Sequence, residues 1–464
     1  FTRAPFLRHR DFLFTAQGKS FFFSYRIFWR SILALILFFS PTIISVAGPG
    51  LLFIVFGCDA VYNLSRIIQG KLRHPIFTKT SLGILFLSLT LEVLLVYTND
   101  QNFFYTLLPF RFFLLSALIG LLYIPREIVA TRLKWKSKQK LRSHPKLIVM
   151  GITGSYGKST VKVFLHTLLQ KKYRVISTPE NTNTDVGIAK FILQTNFDAA
   201  DIFIVEIGAY REHHVEAVCE FVKPTIGILT AINEQHISLF GSIEKTQKTK
   251  YELLHSLPKT GFAVVNVDNT YCRELISTLQ CAVKTFGTKK EYHPACFIGQ
   301  IEGGEKGITI NGQLEAVPWI IQLPVVGKHQ AMNLAPCLIV ATHLGLDLKD
   351  IQDATQNISL PPHGLHTYTY GESTIIDDTY SSNPAGFEAA LQLLASFPQE
   401  QKRIVITRGM MELGNVHDTL HTQLGERIQE VADELIVITK DAWEPLKKAV
   451  EKKKDFYVQL IEQP

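Results

Sequence analysis

Three glycines, Gly151, Gly154 and Gly157, run straight into Lys158, Ser159 and Thr160 in the stretch GITGSYGKST. An ammonium and a hydroxyl beside a glycine-rich turn can hold a nucleotide triphosphate. Glycines let backbone N–H groups close on an anion, and a following helix adds its partial positive N-terminus. Lys158 would reach the β- and γ-phosphates and Ser159 would ligate Mg²⁺, with Gly154, Ser155, Gly157 and Thr160 completing the cradle. The spacing is not the strict Walker form: Ile152 stands five before Gly157, and the leading glycine is Gly151.

Three more groups have suitable chemistry. Glu206 ends the apolar run IFIVE, where a carboxylate could hold a metal. His236 follows another apolar run and could ligate through a neutral imidazole. Lys250 sits in the helical pattern KTQKTKYELLHSL. Singly, each reads as well as a loop carboxylate, a surface imidazole or a solvated helix face.

These groups need elements to carry them. Leu147–Met150 leads into the cradle as a strand, and Val161, Phe164, Leu165, Leu168 and Leu169 repeat at helical spacing behind it. Tyr173–Ser177, Asp201–Ile207, Thr225–Thr230 and Phe262–Val267 read as further buried strands with helical segments between them. The expected fold class is α/β: a P-loop, doubly wound, mainly parallel sheet over 147–359, then a C-terminal Rossmann-like domain over 360–464. Ligands in such sheets lie at the carboxyl ends of the strands.

The net charge of +7 over 464 residues is modest and positional, and no nucleic-acid partner is expected. Six cysteines without a C-x-x-C pair point to reduced thiols rather than a disulfide framework or zinc site. A start at Phe1 and an end at Pro464 read as a piece of a longer protein.

The first 125 residues are different, with apolar runs near the length of a bilayer core. Four membrane helices, near 21–40, 43–62, 80–98 and 103–124, place three basic stretches on one face, as the positive-inside rule requires. Three spans would strand one basic stretch outside. This predicts an α-helical transmembrane region, multi-pass in the cytoplasmic (inner) membrane, with the catalytic part cytoplasmic and the lipid bilayer as partner. Glu92 and Arg111 lie inside apolar runs, where they would mark a lipid-linked substrate, pair with each other or sit at helix ends. The basic linker 126–146 would hold anionic headgroups.

The ordered motifs resemble the Mur ligase family, the ATP-dependent amide-bond ligases of cell-wall precursor synthesis. They are GITGSYGKST at 151–160, TPENTNTDVGIA at 178–189, VEIGA at 205–209, HISLFGS at 236–242 and TKYELL at 249–254. GKHQAMNLA at 327–335, DDTYSSNP at 377–384 and MMELGNVHDTLHTQLG at 410–425 extend the set. Within the family the pattern is nearest to the branch that adds D-alanyl-D-alanine to a UDP-N-acetylmuramoyl-tripeptide. The family's N-terminal uridine-binding domain is not visible.

The resemblance implies roles. Lys158, Ser159 and Glu206 would hold the ATP phosphates and a first Mg²⁺, and His236 a second. Lys250 falls where the family carries a carbamylated lysine. His329 and Asn333 would contact the adenine side, and Asn181 and Asn183 match the loop that faces the substrate. Asp377, Asp378, Tyr380 and Asn383 would close over nucleotide and incoming amine.

The implied activity is ADP-forming ligation of a peptide-type carboxylate to an amine through an acyl phosphate, with cell-wall synthesis enzymes as partners. Several residues depart from the family pattern. Ala231 stands for an asparagine, Gln330 for an asparagine, Leu365 for an arginine, and no aspartate precedes Met410. Two alternatives remain: a membrane amide ligase building another polymer such as poly-γ-glutamate, and a catalytically weakened nucleotide-binding membrane scaffold.

Overall fold

The structure, a computed structural model, describes residues 61, 82–83, 86–87, 89–90, 93–94, 97 and 124–461, less gaps at 234–239, 305–306, 363, 380–383, 399, 412, 414–415 and 452–455. The chain divides into two compact units, Phe1–Val129 and Ala130–Gln463. The described residues of the first are helical. Helix α1, over 124–142, enters the second unit at Ala130.

The second unit carries a nine-stranded sheet. Its strands are β1 (Ile148–Thr153), β2 (Val175–Ser177), β3 (Ile202–Glu206), β4 (Ile226–Leu229), β5 (Phe262–Asn266), β6 (Ala282–Gly287), β7 (Cys296–Gly304), β8 (Gly307–Leu314) and β9 (Val317–Leu323). They lie in the order β2-β3-β1-β4-β5-β6-β7-β8-β9. Pairing is parallel from β2 to β7 and antiparallel from β7 through β9. The parallel strands are joined by helices α2 (Lys158–Leu169), α3 (Asp185–Gln194), α4 (His214–Val222) and α5 (Ile243–His255). Helices α6 (Gln330–His343) and α7 (Leu348–Thr355) follow the antiparallel strands.

Alternation along the strands explains the layers. On β1, Met150 and Ile152 pack with Phe164, Leu165 and Leu168 of α2 and with Leu334 and Leu338 of α6. Val149 joins Phe203 and Val205 of β3 in the opposite core, against Ile188 of α3 and Leu253 of α5. A strand buried on both faces reads as a continuous apolar run, as IFIVE does. Each such Leu, Ile or Phe contributes about 1.5–3 kcal/mol on burial.

Two expectations about the fold are corrected. The sheet is mixed, not of the parallel doubly wound type, because its last strands are joined by links too short for a parallel crossover. Two residues, Glu315 and Ala316, both with positive φ (49° and 71°), join β8 to β9. That is the backbone of a tight hairpin turn. The second correction concerns the membrane. Among the described residues no helix is long and apolar enough to cross one. The transmembrane region, the multi-pass inner-membrane placement and the bilayer as partner are therefore not carried forward. The four stretches expected to span, with Glu92 and Arg111, lie outside the described residues except for scattered positions.

Two lysines and a serine of the basic linker lie against the protein. Their side chains find partners on α3: Lys134 Nζ is 3.2 Å from Asp185, Ser137 Oγ donates to Ala189 O at 2.9 Å, and Lys140 Nζ donates to Leu193 O at 3.0 Å. Ser137 is fully buried there.

Beyond α7 the hairpin β10 (His366–Tyr370) and β11 (Ser373–Asp377) precedes α8 (Pro384–Ala395), α9 (His417–Val431) and α10 (Lys440–Val450). These helices accompany a parallel sheet of β12 (Ile404–Thr407), β13 (Glu434–Val437) and β14 (Tyr457–Leu460). Leu424, Ile428, Leu435, Leu446 and Val450 form its core.

Candidate functional site

A cleft of about 720 Å³ opens at the carboxyl ends of β1, β3, β4 and β5, with β11 and α8 contributing from the C-terminal part. Gly154, Ser155, Gly157, Lys158, Ser159 and Thr160 form one wall. The loop owes its path to two glycines in the left-handed region. Gly154 has φ 154°, and a Cβ there would lie 1.9 Å from Thr230 Oγ1. Gly157 has φ 79° and caps α2 without a side chain, so first-turn N–H groups remain for an anion. Ser155 N donates to Ala231 O at 2.7 Å, so residue 231 serves the loop through its backbone.

Lys158 and Ser159 are the first residues of α2, and β3 runs beside β1 with Glu206 opposite Ile152. That register brings the strand tip to the helix N-terminus. Ser159 Oγ donates to Glu206 at 3.1 and 3.0 Å. Lys158 Nζ donates to Gly154 O at 2.8 Å. Burial pushes the Lys158 ammonium below its usual value, with Glu206 opposing. Burial also acts to raise Glu206, but Lys162 and Lys158 outweigh it and hold the carboxyl below its usual range.

Oxygen donors of this kind fit Mg²⁺. Adjacent ligands of an octahedral Mg²⁺ at about 2.1 Å lie about 3.0 Å from one another, and the Ser159–Glu206 pair is separated by 3.0–3.1 Å. Among the described residues no group of three or more His, Cys, Asp or Glu could hold a metal. A site of hydroxyl and single carboxylate needs phosphate and water oxygens as well, the usual situation for Mg²⁺.

Lys250 projects from α5 into the same cleft and is buried. Burial, reinforced by the Lys158 charge, lowers its pKa to about 7. At neutral pH a substantial fraction is an uncharged amine. His329 and Asn333 lie at the start of α6 and line the cleft. His329 is half-buried, and desolvation lowers its pKa to about 4, so it is neutral. Gln330 bridges the two, with Nε2 2.8 Å from His329 Nε2 and Oε1 2.8 Å from Asn333 Nδ2.

Asn181 and Asn183 line the opposite side beside Glu180 and Tyr210. The Tyr210 hydroxyl donates to Asn183 Oδ1 at 3.0 Å. Asp378 reaches the cleft, whereas Asp377 accepts from Thr379 N at 2.9 Å at the end of β11. His236, Tyr380 and Asn383 lie outside the described residues. Leu365, buried, forms part of the lining.

Sequence reading missed several lining residues. Asn266 ends β5, Asp268 and Asn269 follow it, and Thr288 follows β6. Their signal was available, as polar residues just past an apolar strand. Lys162 was missed entirely: its Nζ lies 3.0 Å from Glu206 Oε2, and both side chains are nearly sealed from solvent, 4% and 5% exposed.

Comparison with known proteins agrees with this geometry. Residues 152–341 match the Mur ligase middle domain and residues 366–463 the Mur ligase, glutamate ligase domain. The UDP-N-acetylmuramoyl-tripeptide--D-alanyl-D-alanine ligase of Synechocystis sp. is 29% identical over 299 residues, covering 63% of this chain and 62% of that protein. The chain spans about three-fifths of the length of the curated relatives it matches. A crystal structure of MurF from Acinetobacter baumannii shares the fold with a TM-score of 0.63 at 20% identity, over 71% of this chain and 76% of that one. MurF ligase from Thermotoga maritima, solved in complex with ADP, gives 0.60 at 23% identity, over 72% and 80%. With both domain models matched in order along one chain, and the glycine loop, Glu206 and Lys250 gathered at one cleft, this chain belongs to the Mur ligase family.

Proposed function

We propose that the protein is an ATP-dependent, ADP-forming ligase that joins a peptide-type carboxylate to an amine in peptidoglycan precursor synthesis. The amine is D-alanyl-D-alanine or a close analogue, and the carboxylate belongs to a UDP-muramoyl-tripeptide. The observation that carries the reading is the convergence of Lys158, Ser159, Glu206 and Lys250 on one cleft beside the glycine loop. The relatives' named activity supports the substrate pair.

In this reading the middle part over 147–359 binds ATP and the part over 360–464 closes over it. The loop amides and Lys158 grip the phosphates. Ser159 and Glu206 would hold Mg²⁺, which would supply positive charge to offset that of the phosphates. A substrate carboxylate oxygen, positioned by the Asn181–Asn183 loop, attacks the γ-phosphorus; the bond to the ADP oxygen breaks and an acyl phosphate forms. The amine then attacks the acyl carbon, phosphate leaves, and the nitrogen loses a proton. The uncharged amine of Lys250 would add to carbon dioxide and lose a proton, giving a carbamate that supplies a second anionic group, with His236 as its companion. His329 and Asn333 face the adenine side, while Asp377, Asp378, Tyr380 and Asn383 meet nucleotide and amine.

The test is release of ADP and phosphate that requires both substrates together. Lys158→Ala protein as active as the wild type overturns the reading. One rival draws on a specific observation: Leu365 lines the cleft where the family pattern has an arginine, as a nucleotide-binding scaffold without turnover would allow. ATP binding with no turnover on any carboxylate–amine pair favours that rival. The poly-γ-glutamate alternative leaned on the membrane spans and loses that support.

A further inference from the structure

Lys162, a buried charge beside the site, has no part in the chemistry above. It stands one helical turn after Lys158 on α2, on the same face. Unlike Lys158, Ser159 and Glu206, it is absent from the cleft wall. Its Nζ contacts two things: Glu206 Oε2 at 3.0 Å and the carbonyl of Pro179 at 3.4 Å.

Pro179 begins the segment that carries Asn181 and Asn183. A second tie joins the same two places, for Glu206 N donates to Thr178 Oγ1 at 3.1 Å. The segment's far end is fastened to the same strand tip, where Gly208 N donates to Asn183 O at 2.9 Å. Both ends of the loop are thus bonded to residues 206–208. Among these ties Lys162 alone acts on the Glu206 carboxylate, the group that would change partners when a metal binds. One ammonium group thus stands between that carboxylate and the Pro179 carbonyl.

We propose that Lys162 is a positioning residue that couples occupancy of the nucleotide–metal site to the ordering of the 178–183 loop, which receives the carboxylate substrate. The inference rests on the nucleotide reading given above. It makes binding order meaningful: with nucleotide and metal bound first, Glu206 would serve the metal and Lys162 would set the loop for its substrate.

Hydrogen exchange on the full chain, with Mg·ADP as probe, tests it without knowledge of the substrate. In the wild type Mg·ADP slows exchange across 178–183 by about fivefold or more. Lys162→Met binds Mg·ADP within about threefold of wild type, yet loses most of that protection. Lys162→Arg keeps a charge against Glu206 but places a planar head differently against Pro179 O, and gives intermediate protection. Equal protection in Lys162→Met and wild type overturns the proposal alone. So does full protection in Lys162→Arg should Lys162→Met fail to fold, since Lys162 is then only a counter-ion. A wild type that binds no Mg·ADP overturns both the proposal and the ligase reading.

Discussion

Ser159 Oγ and the Glu206 carboxylate, 47 positions apart in the chain, lie 3.0–3.1 Å from each other at the floor of one cleft. The pair is a hydrogen bond as it stands, and in the proposed reading its two oxygens would hold Mg²⁺. Glu206→Gln keeps the shape and removes the charge. Its turnover falls about 10²–10³-fold, and its ADP affinity stops responding to Mg²⁺. Titration calorimetry with and without Mg²⁺ checks this; an unchanged Mg²⁺ response removes Glu206 from the metal site.

Gly154→Ala places a methyl carbon 1.9 Å from Thr230 Oγ1, at a φ of 154° that L residues rarely adopt. The loop must shift away from Thr230, and the amides that meet the phosphates shift with it. The expected loss is about 1–3 kcal/mol of ADP binding. Fluorescence titration with a labelled ADP analogue reads it. The remainder of the sheet should melt close to wild type, because the loop lies outside the two packed cores.

Lys250 has a folded pKa near 7 against an ordinary 10.5, with burial the main cause. Between those values the unfolded chain holds a proton that the folded chain has released, so folding is favoured more as pH rises from about 7. Below pH 7 both forms are protonated and the burial penalty is present in full. Thermal unfolding from pH 6 to 9 should therefore climb more steeply in wild type than in Lys250→Met, which lacks the titrating group. Parallel slopes would show that the amine keeps its proton when buried.

His329 shows the complementary window. Its folded pKa is near 4 and its ordinary value 6.5. Between these the unfolded imidazole takes up a proton that the folded one refuses, so stability is lost as pH falls through 6.5 towards 4. His329→Gln should flatten that acid limb. Its ADP affinity should also fall, since the ring and Gln330 orient Asn333 beside Gly157. Acid melts of the two proteins, compared from pH 4 to 7, decide the first point.

The glycine loop, Lys158 and Ser159 were legible because their chemistry is local: strand, turn and helix follow within one continuous stretch. The central parallel strands were legible because strands buried on both faces read as apolar runs, whose ends named Glu206. Local residues hid the rest. The turn at Glu315–Ala316 has left-handed backbone at both positions without the Asn-Gly pair that announces it, so the antiparallel edge went unseen. The apolar runs before residue 125 suggested a bilayer, but composition describes only a solvent preference and places no helix.

Sequence alone determined the glycine loop with its Lys-Ser pair and the alternation of strand and helix, both properties of neighbours along the chain. Tertiary structure decided which distant groups meet. Strand order put β3 beside β1, so Glu206 came to Ser159 and took Lys162 as its buried partner. No local pattern separates Lys162 from a lysine on a solvated helix face. The difference is the close approach of a carboxylate from another strand, which in a low-dielectric interior turns an ordinary side chain into a fixed counter-charge.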